Sequence, residues 1–178
     1  MRKWILVLLL LILATPAGAQ QLNIDFPGLA DKAVETVDIT LDGDLLQMAA
    51  RFLDPHDPDQ HTARDIVSKL QGIYVRSYEF EKEGEYDTSL VARVRSQLGP
   101  TWKRIVMVKE RNRENTEIYV DTRGGDTKTV RGLVIISAEP RELTFVNLVG
   151  PVDVEKISAL EGEFGIPHFS KKDRHHDE

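Results

Sequence analysis

The chain has no cysteine among its 178 residues, so neither a disulfide framework nor thiol chemistry is open to it. That absence removes cysteine nucleophiles, CxxC redox pairs and thiolate metal sites together, and it leaves the core alone to hold the fold. A domain of about 150 residues buries about two-thirds of the surface its unfolded chain exposes, which is enough for that task. Motifs for nucleophilic or metal-assisted hydrolysis are missing as well: there is no GxSxG turn, no SxxK pair and no HExxH spacing. Paired carboxylates carry no diagnostic value in a chain with 29 acidic residues, because some pair can always be chosen. The sequence therefore reads as a non-enzyme with no cofactor. Positive charge is short too. The formal net charge is −6, which disfavours general nucleic-acid binding and adhesion to anionic lipid.

Long apolar runs are confined to the first residues. Arg2 and Lys3 precede an uncharged stretch from Trp4 to Ala14, Pro16 interrupts it, and Ala17-Gly18-Ala19 offers small residues for a signal peptidase. The stretch is about half of the ~20 residues that span a bilayer, so cleavage after Ala19 is expected and stable membrane insertion afterwards is not. Export makes the product periplasmic or secreted and soluble. Loss of Arg2 and Lys3 takes the net charge from −6 to −8. The expected domains are a signal peptide over 1–19, one folded unit over 20–169 and a charged, disordered tail over 170–178.

Periodicity then sets the elements. Val34 to Leu41 alternates as a short strand, and Asp42-Gly43-Asp44 turns it into a helix expected to bury Leu45, Ala49, Phe52 and Leu53. Pro55 and Pro58 interrupt that helix; a second, capped by Thr62 or Asp59, places Ala63, Ile66, Val67 and Leu70 on one stripe. Ile73 to Phe80 is a strand. A third helix capped by Asp87 or Thr88 buries Leu90, Val91, Val94 and Leu98, and Gly99-Pro100 stops it. Four strands follow, over 102–109, 117–122, 129–137 and 143–149, with turns short enough to imply antiparallel neighbours. The last two are apolar on both faces, which points to a central position or a covered sheet. Pro151 and Asp153 open a final helix with Val154, Ile157, Leu160 and Phe164 inward. The sum is an α+β fold: a single antiparallel sheet of about five strands, ordered β-α-β-β-β-β-α after Gly72, with helices on one face. A short strand and two helices come before it.

Three stretches carry a resemblance. GIYVRSYEF at Gly72 to Phe80, Trp102 at the start of its strand, and GLVIISAEPRELTFVNLVG at Gly132 to Gly150 resemble the domain-of-unknown-function family 4252 of exported bacterial proteins. The likeness extends to Asp153 and to the Leu160 to Pro167 ending. It implies a signal peptide and a small α+β domain, assigns no catalytic residue, and hints at envelope signalling through neighbouring sigma-factor genes.

Four places are candidates for function. Tyr74, Arg76, Tyr78 and Phe80 share one face of their strand, offering aromatic surface and a guanidinium to a peptide or anionic ligand unless they pack in the core. Glu139, Arg141 and Glu142 surround Pro140 at a hairpin tip, a second contact candidate. His56, Asp57, Asp59 and His61 crowd one loop and are weak metal ligands, the alternative being a stiff loop that caps a helix; His175, His176 and Asp177 make a weaker case in the tail. Gly124-Gly125 lacks the strand-loop-helix context of a phosphate cradle. The leading expectation is a non-enzymatic binding or interaction module of the cell envelope, contacting an envelope protein. A small-ligand- or metal-binding periplasmic protein is the alternative, with an unrecognised hydrolase behind it. Partner identity and oligomeric state are not legible.

Overall fold

The computed structural model describes residues 21–110, 115–123 and 128–156. The expected signal peptide, Gly124-Gly125, the C-terminal residues 170–178 and the expected final helix beyond Lys156 lie outside the described residues.

Strand formers fill the strands, and glycine or proline marks several of the boundaries, as Gly43 does after β1 and Pro140 after β5. In chain order the elements are β1 (Glu35–Asp42), α1 (Gly43–Phe52), α2 (Pro58–Val67), β2 (Gly72–Glu79), α3 (Ser89–Ser96), β3 (Trp102–Lys109), β4 (Asn115–Asp121), β5 (Thr129–Ala138) and β6 (Glu142–Asp153). The six strands make one antiparallel sheet in the order β1-β2-β6-β5-β4-β3. β3 to β6 form a meander, β2 adds to β6, and β1 adds to β2 as the sixth strand. The central position of β5 and β6 follows from their burial on both faces: every residue from Leu143 to Gly150 is buried. The outer strands differ in sign. β1 carries Glu35, Asp38 and Asp42, whereas β3 carries Lys103, Arg104 and Lys109.

Both faces of the sheet are covered, which differs from helices on one face only. α1 and α2 pack Leu46, Ala50, Ala63, Ile66 and Val67 onto Ile73, Val75, Leu133, Ile135, Val146 and Leu148. On the other face α3 contributes Val94, and a segment without regular structure contributes Leu22, Ile24, Phe26 and Leu29, over Tyr74, Tyr78, Phe80, Phe145 and Ile136. β4 shows why two layers are needed. Its Ile118 and Val120 face the helical pair, but Tyr119 between them is buried as well, so neither face tolerates water. Each fully buried side chain of this size, such as Phe145 or Leu148, contributes about 2 kcal/mol.

Three local expectations are corrected. α1 buries Leu46 and Ala50, with Leu53 just beyond its end, and leaves Leu45 and Phe52 exposed, because the run LLQMAARFL holds two apolar stripes and the sheet accepts one. α1 stops before the prolines as expected, but α2 begins at Pro58, ahead of a cap at Asp59 or Thr62; Asp57 precedes it as the cap, its Oδ1 accepting from the Gln60 amide at 3.4 Å. β6 runs through Pro151 to Asp153 before a single helical turn at 154–156. Gly150, at φ +122°, and a register shift between Val130 and Gly132 opposite let the strand continue past the proline.

Candidate binding site

The α3 face holds most of the polar chemistry. On β2, Tyr74, Arg76 and Tyr78 do share that face, but they are covered. Tyr78 is 2% exposed, and its hydroxyl hydrogen-bonds the main chain of Phe26; burial is the main force raising its pKa. Tyr74 lies flat over Gly72, where an added Cβ would stand 2.6 Å from the ring. Arg76 reaches sideways to β1. Its Nη1 lies 2.6 Å from Asp38 Oδ1, 3.2 Å from the Ile39 carbonyl and 2.8 Å from the Val75 carbonyl, and Nη2 lies 3.3 Å from Thr40 Oγ1. The guanidinium thus fastens the outer strand. The packing alternative holds for the tyrosines, and Arg76 pairs with an acid.

Two donors in this region have no acceptor. Arg76 Nε and Asn147 Nδ2 are buried without a hydrogen-bond partner among the described residues. Beside Arg76 a cleft of about 410 Å³ opens, between Gln21–Asp25 on one wall and Thr40, Tyr74 and Arg76 on the other.

Toward the opposite edge the same face carries a charged cluster that the sequence did not single out. Glu117 on β4 is 5% exposed, and Arg95 of α3 grips it with two bonds, Nε to Oε2 at 3.2 Å and Nη2 to Oε1 at 2.8 Å. The Tyr119 hydroxyl donates to Glu117 Oε2, and Arg104 Nη1 stands 3.9 Å away. Burial would raise the Glu117 pKa, but the Tyr119 and Arg95 bonds outweigh it and the net direction is down. Tyr119 is pushed up, by burial first and by the carboxylate second. Such a carboxylate stays ionised at neutral pH and has its lone pairs occupied, which suits an anchor better than a general base.

A groove runs from this cluster toward the β5–β6 hairpin. One portion, of about 280 Å³, is walled by Val91, Arg95, Met107 and Glu117; the next, of about 890 Å³, by Tyr86, Glu110, Glu139 and Pro140. Thr88, Lys109, Asn115 and Ala138 line both, which makes them one trough. Of the hairpin trio only Glu139 borders it. Arg141 lies 3.8 Å from Glu79, and Glu142 turns to the other face, accepting from Ser77 Oγ at 3.2 Å and Thr144 Oγ1 at 3.0 Å. The structure does not bring Glu139, Arg141 and Glu142 together.

The histidine loop is organised around its own main chain. Asp54 Oδ1 accepts from the His56 amide at 2.8 Å and lies 3.1 Å from its ring nitrogen, and the imidazole is 91% exposed. Asp57 and His61 meet through the main chain, the His61 amide donating to the Asp57 carbonyl at 2.8 Å. Asp59 lies in α2, and its side chain is outside the described residues. Among the described residues no three His, Asp or Glu side chains are grouped to hold a metal. His175, His176 and Asp177 lie outside the described residues.

Outside the sheet, one surface is apolar. Leu45 is 48%, Met48 53% and Phe52 86% exposed, and their spacing of three and four residues sets them in a line along α1. The signal was present in the sequence as the second of two stripes. Among the described residues no helix is long and apolar enough to cross a membrane.

Comparison with known proteins gives one finding. No curated protein and no solved structure matches the chain. The model of the DUF4252 family, a domain of unknown function, matches residues 30–160, which takes in all six strands and three helices. On that match, the chain belongs to the DUF4252 family.

Proposed function

We propose that this chain is an exported, non-enzymatic interaction module of the cell envelope that docks a protein partner on the outer stripe of α1. The observation that carries the reading is the double-sided character of that helix. Leu46 and Ala50 attach it to the sheet, while Leu45, Met48 and Phe52 remain in water on its other side. A helix apolar on two sides gains by burying both. Methionine and phenylalanine are well suited to the outer position, since a flexible thioether and a flat ring adapt to a partner and supply much of an interface's binding energy. Export is supported by the composition of residues 1–19. The partner then resides in the periplasm or outside the cell, and an envelope-signalling role agrees with that placement.

The test is site-directed photo-crosslinking in envelope extract, with the probe at position 48 or 52 and a control probe at position 103 on the far edge. A discrete adduct from 48 and 52 but not from 103, abolished by Leu45→Asp, supports the reading. Equal patterns from all three positions reject it.

A second reading has its own observation. The inner portion of the trough, along α3, is lined by Lys109 and Arg95 and by the anchored Glu117, which favours a small anionic ligand there. Thermal-shift screening of carboxylates and phosphate esters, with Lys109→Ala as control, separates the two. A melting shift lost in Lys109→Ala belongs to the trough, whereas crosslinks at α1 do not depend on it.

A further inference from the structure

Residues 22–26 behave as a ligand of the domain that they belong to. Alternate residues Leu22, Ile24 and Phe26 are buried and Asn23 and Asp25 exposed, the pattern of an extended chain lying on a surface. Yet this strap is held by side chains. Asn147 Oδ1 on β6 accepts from the Leu22 amide at 2.9 Å. Gln97, just past α3, bonds both main-chain groups of Asn23: its Oε1 accepts from the amide and its Nε2 donates to the carbonyl, each at 2.8 Å. Such side-chain reading of main chain is how an extended peptide is recognised without regard to its polar residues. Phe26 inserts as the anchor, with its ring 5.4 Å from Phe145 and the Arg93 guanidinium 5.6 Å above it.

The fit is incomplete. The strap leaves Asn147 Nδ2 and Arg76 Nε buried and unpaired, and it leaves the 410 Å³ cleft between itself and Arg76. An unpaired donor on Arg76, a residue that lines the void, is what a different occupant carrying an acceptor at that point would satisfy, and the Asn147 amide under the strap is a second donor left over. The family match begins at residue 30, so the strap lies outside the part of the chain that defines the domain. Gly28, at φ +82° with open space around it, joins the strap to that part.

We infer that the groove between α3 and β6 is an acceptor for an extended segment of another protein, apolar at alternate positions, and that the 22–26 strap occupies it as a removable stand-in. Exchange between two copies of this chain would reproduce the same unpaired donors, which is why a different sequence is the better occupant. The groove lies on the face opposite α1, so this inference and the α1 docking surface fail separately.

A strap tethered to its groove competes at an effective concentration in the millimolar range. The probe is a fluorescein-labelled peptide of residues 21–29, titrated by polarisation onto the purified mature chain and onto an Ile24→Ser, Phe26→Ser double variant that loosens the strap. The expected result is binding at least tenfold tighter to the double variant, and about tenfold weaker again when Gln97→Ala is added. A double variant with native circular dichroism that binds the peptide no better than a scrambled one overturns the inference. Hydrogen exchange on the unmodified chain decides the matter independently, including where the double variant does not fold. Leu22 and Asn23 amides that exchange well before those of Val134 and Val146 are expected; protection equal to those central strands shows a strap that opens only with the whole molecule, and sinks the idea.

Discussion

Arg95 on α3 and Glu117 on β4 form a two-bond ion pair that crosses from helix to sheet, with 44% of the arginine side chain and 7% of the glutamate side chain exposed. The pair is the polar tie between α3 and the sheet, beside the apolar contact of Val94. Because the Glu117 pKa is lowered in the fold, its stabilisation is fully present above the ordinary carboxylate range and is lost as pH falls through the lowered value. Glu117→Gln is expected to cost about 2 kcal/mol near neutral pH. Urea unfolding of variant and parent at pH 7 and pH 3 checks this: the gap narrows in acid, and a gap that stays constant shows that the charge contributes nothing.

Asp121 is fully buried, and Arg123 holds it, with Nε 2.6 Å from Oδ2 and Nη2 on the same oxygen. Burial would raise the Asp121 pKa, but the Arg123 bonds and a Thr101 hydrogen bond bring it below the usual range. Arg123→Ala strands a carboxylate in the core and is expected to cost about 3 kcal/mol. Arg104→Ala, removing an exposed guanidinium 3.9 Å from its acid, should change stability by less than about 0.5 kcal/mol. Thermal melts of both variants at neutral pH give the comparison, and similar losses would contradict it.

The two sides of α1 should respond in opposite ways. Leu46→Ala opens a cavity under the helix and is expected to cost about 3 kcal/mol. Phe52→Asp changes stability by less than about 0.5 kcal/mol, since the ring is 86% exposed. Chemical denaturation measures both, and a large loss in Phe52→Asp would mean that the stripe packs against this chain itself.

Gly150 is expected to be the least replaceable glycine described. Its φ is +122°, and a Cβ there would stand 2.9 Å from the Gln71 amide nitrogen, main chain that cannot turn aside. Gly150→Ala should cost about 3 kcal/mol, combining strain and clash. Gly84, at φ +79° with nothing within 4 Å, should cost about 1 kcal/mol on the same change. Equal melting temperatures for the two variants would refute the contrast.

How much of this was readable beforehand differs by element. β3 stands at the expected residues 102–109, and β5 and β6 are central, one of the two positions their apolar runs allowed. The α+β class followed from the order of the elements, and the antiparallel meander from the short turns. α1 was readable as a helix but its inward face was not, because Leu45 and Leu46 each begin a valid stripe and only the sheet decides between them. The strap hid in plain alternation: Leu22, Ile24 and Phe26 repeat every second residue, but a segment with no strand partner gives no further signal. The candidate site was half visible. Tyr74, Arg76 and Tyr78 fall on one face as expected, whereas Glu117 is one of 29 acids, and nothing short of the packed α3 marks it as the buried one.

The opposite charges of β1 and β3 give the molecule a direction. Acids on one outer strand and bases on the other, with four strands between them, form a permanent dipole across the width of the sheet. Near an anionic surface the chain therefore turns its β3 edge inward and its β1 edge away, within the ~8 Å over which physiological salt lets such a field act. Two copies meeting like edge to like edge repel one another, which guards both open strands against pairing in register. An orientation that a net charge of −6 would never suggest is thus carried by Glu35, Asp42, Lys103 and Lys109 at the margins, since Asp38 is answered by Arg76 and Arg104 by Glu117.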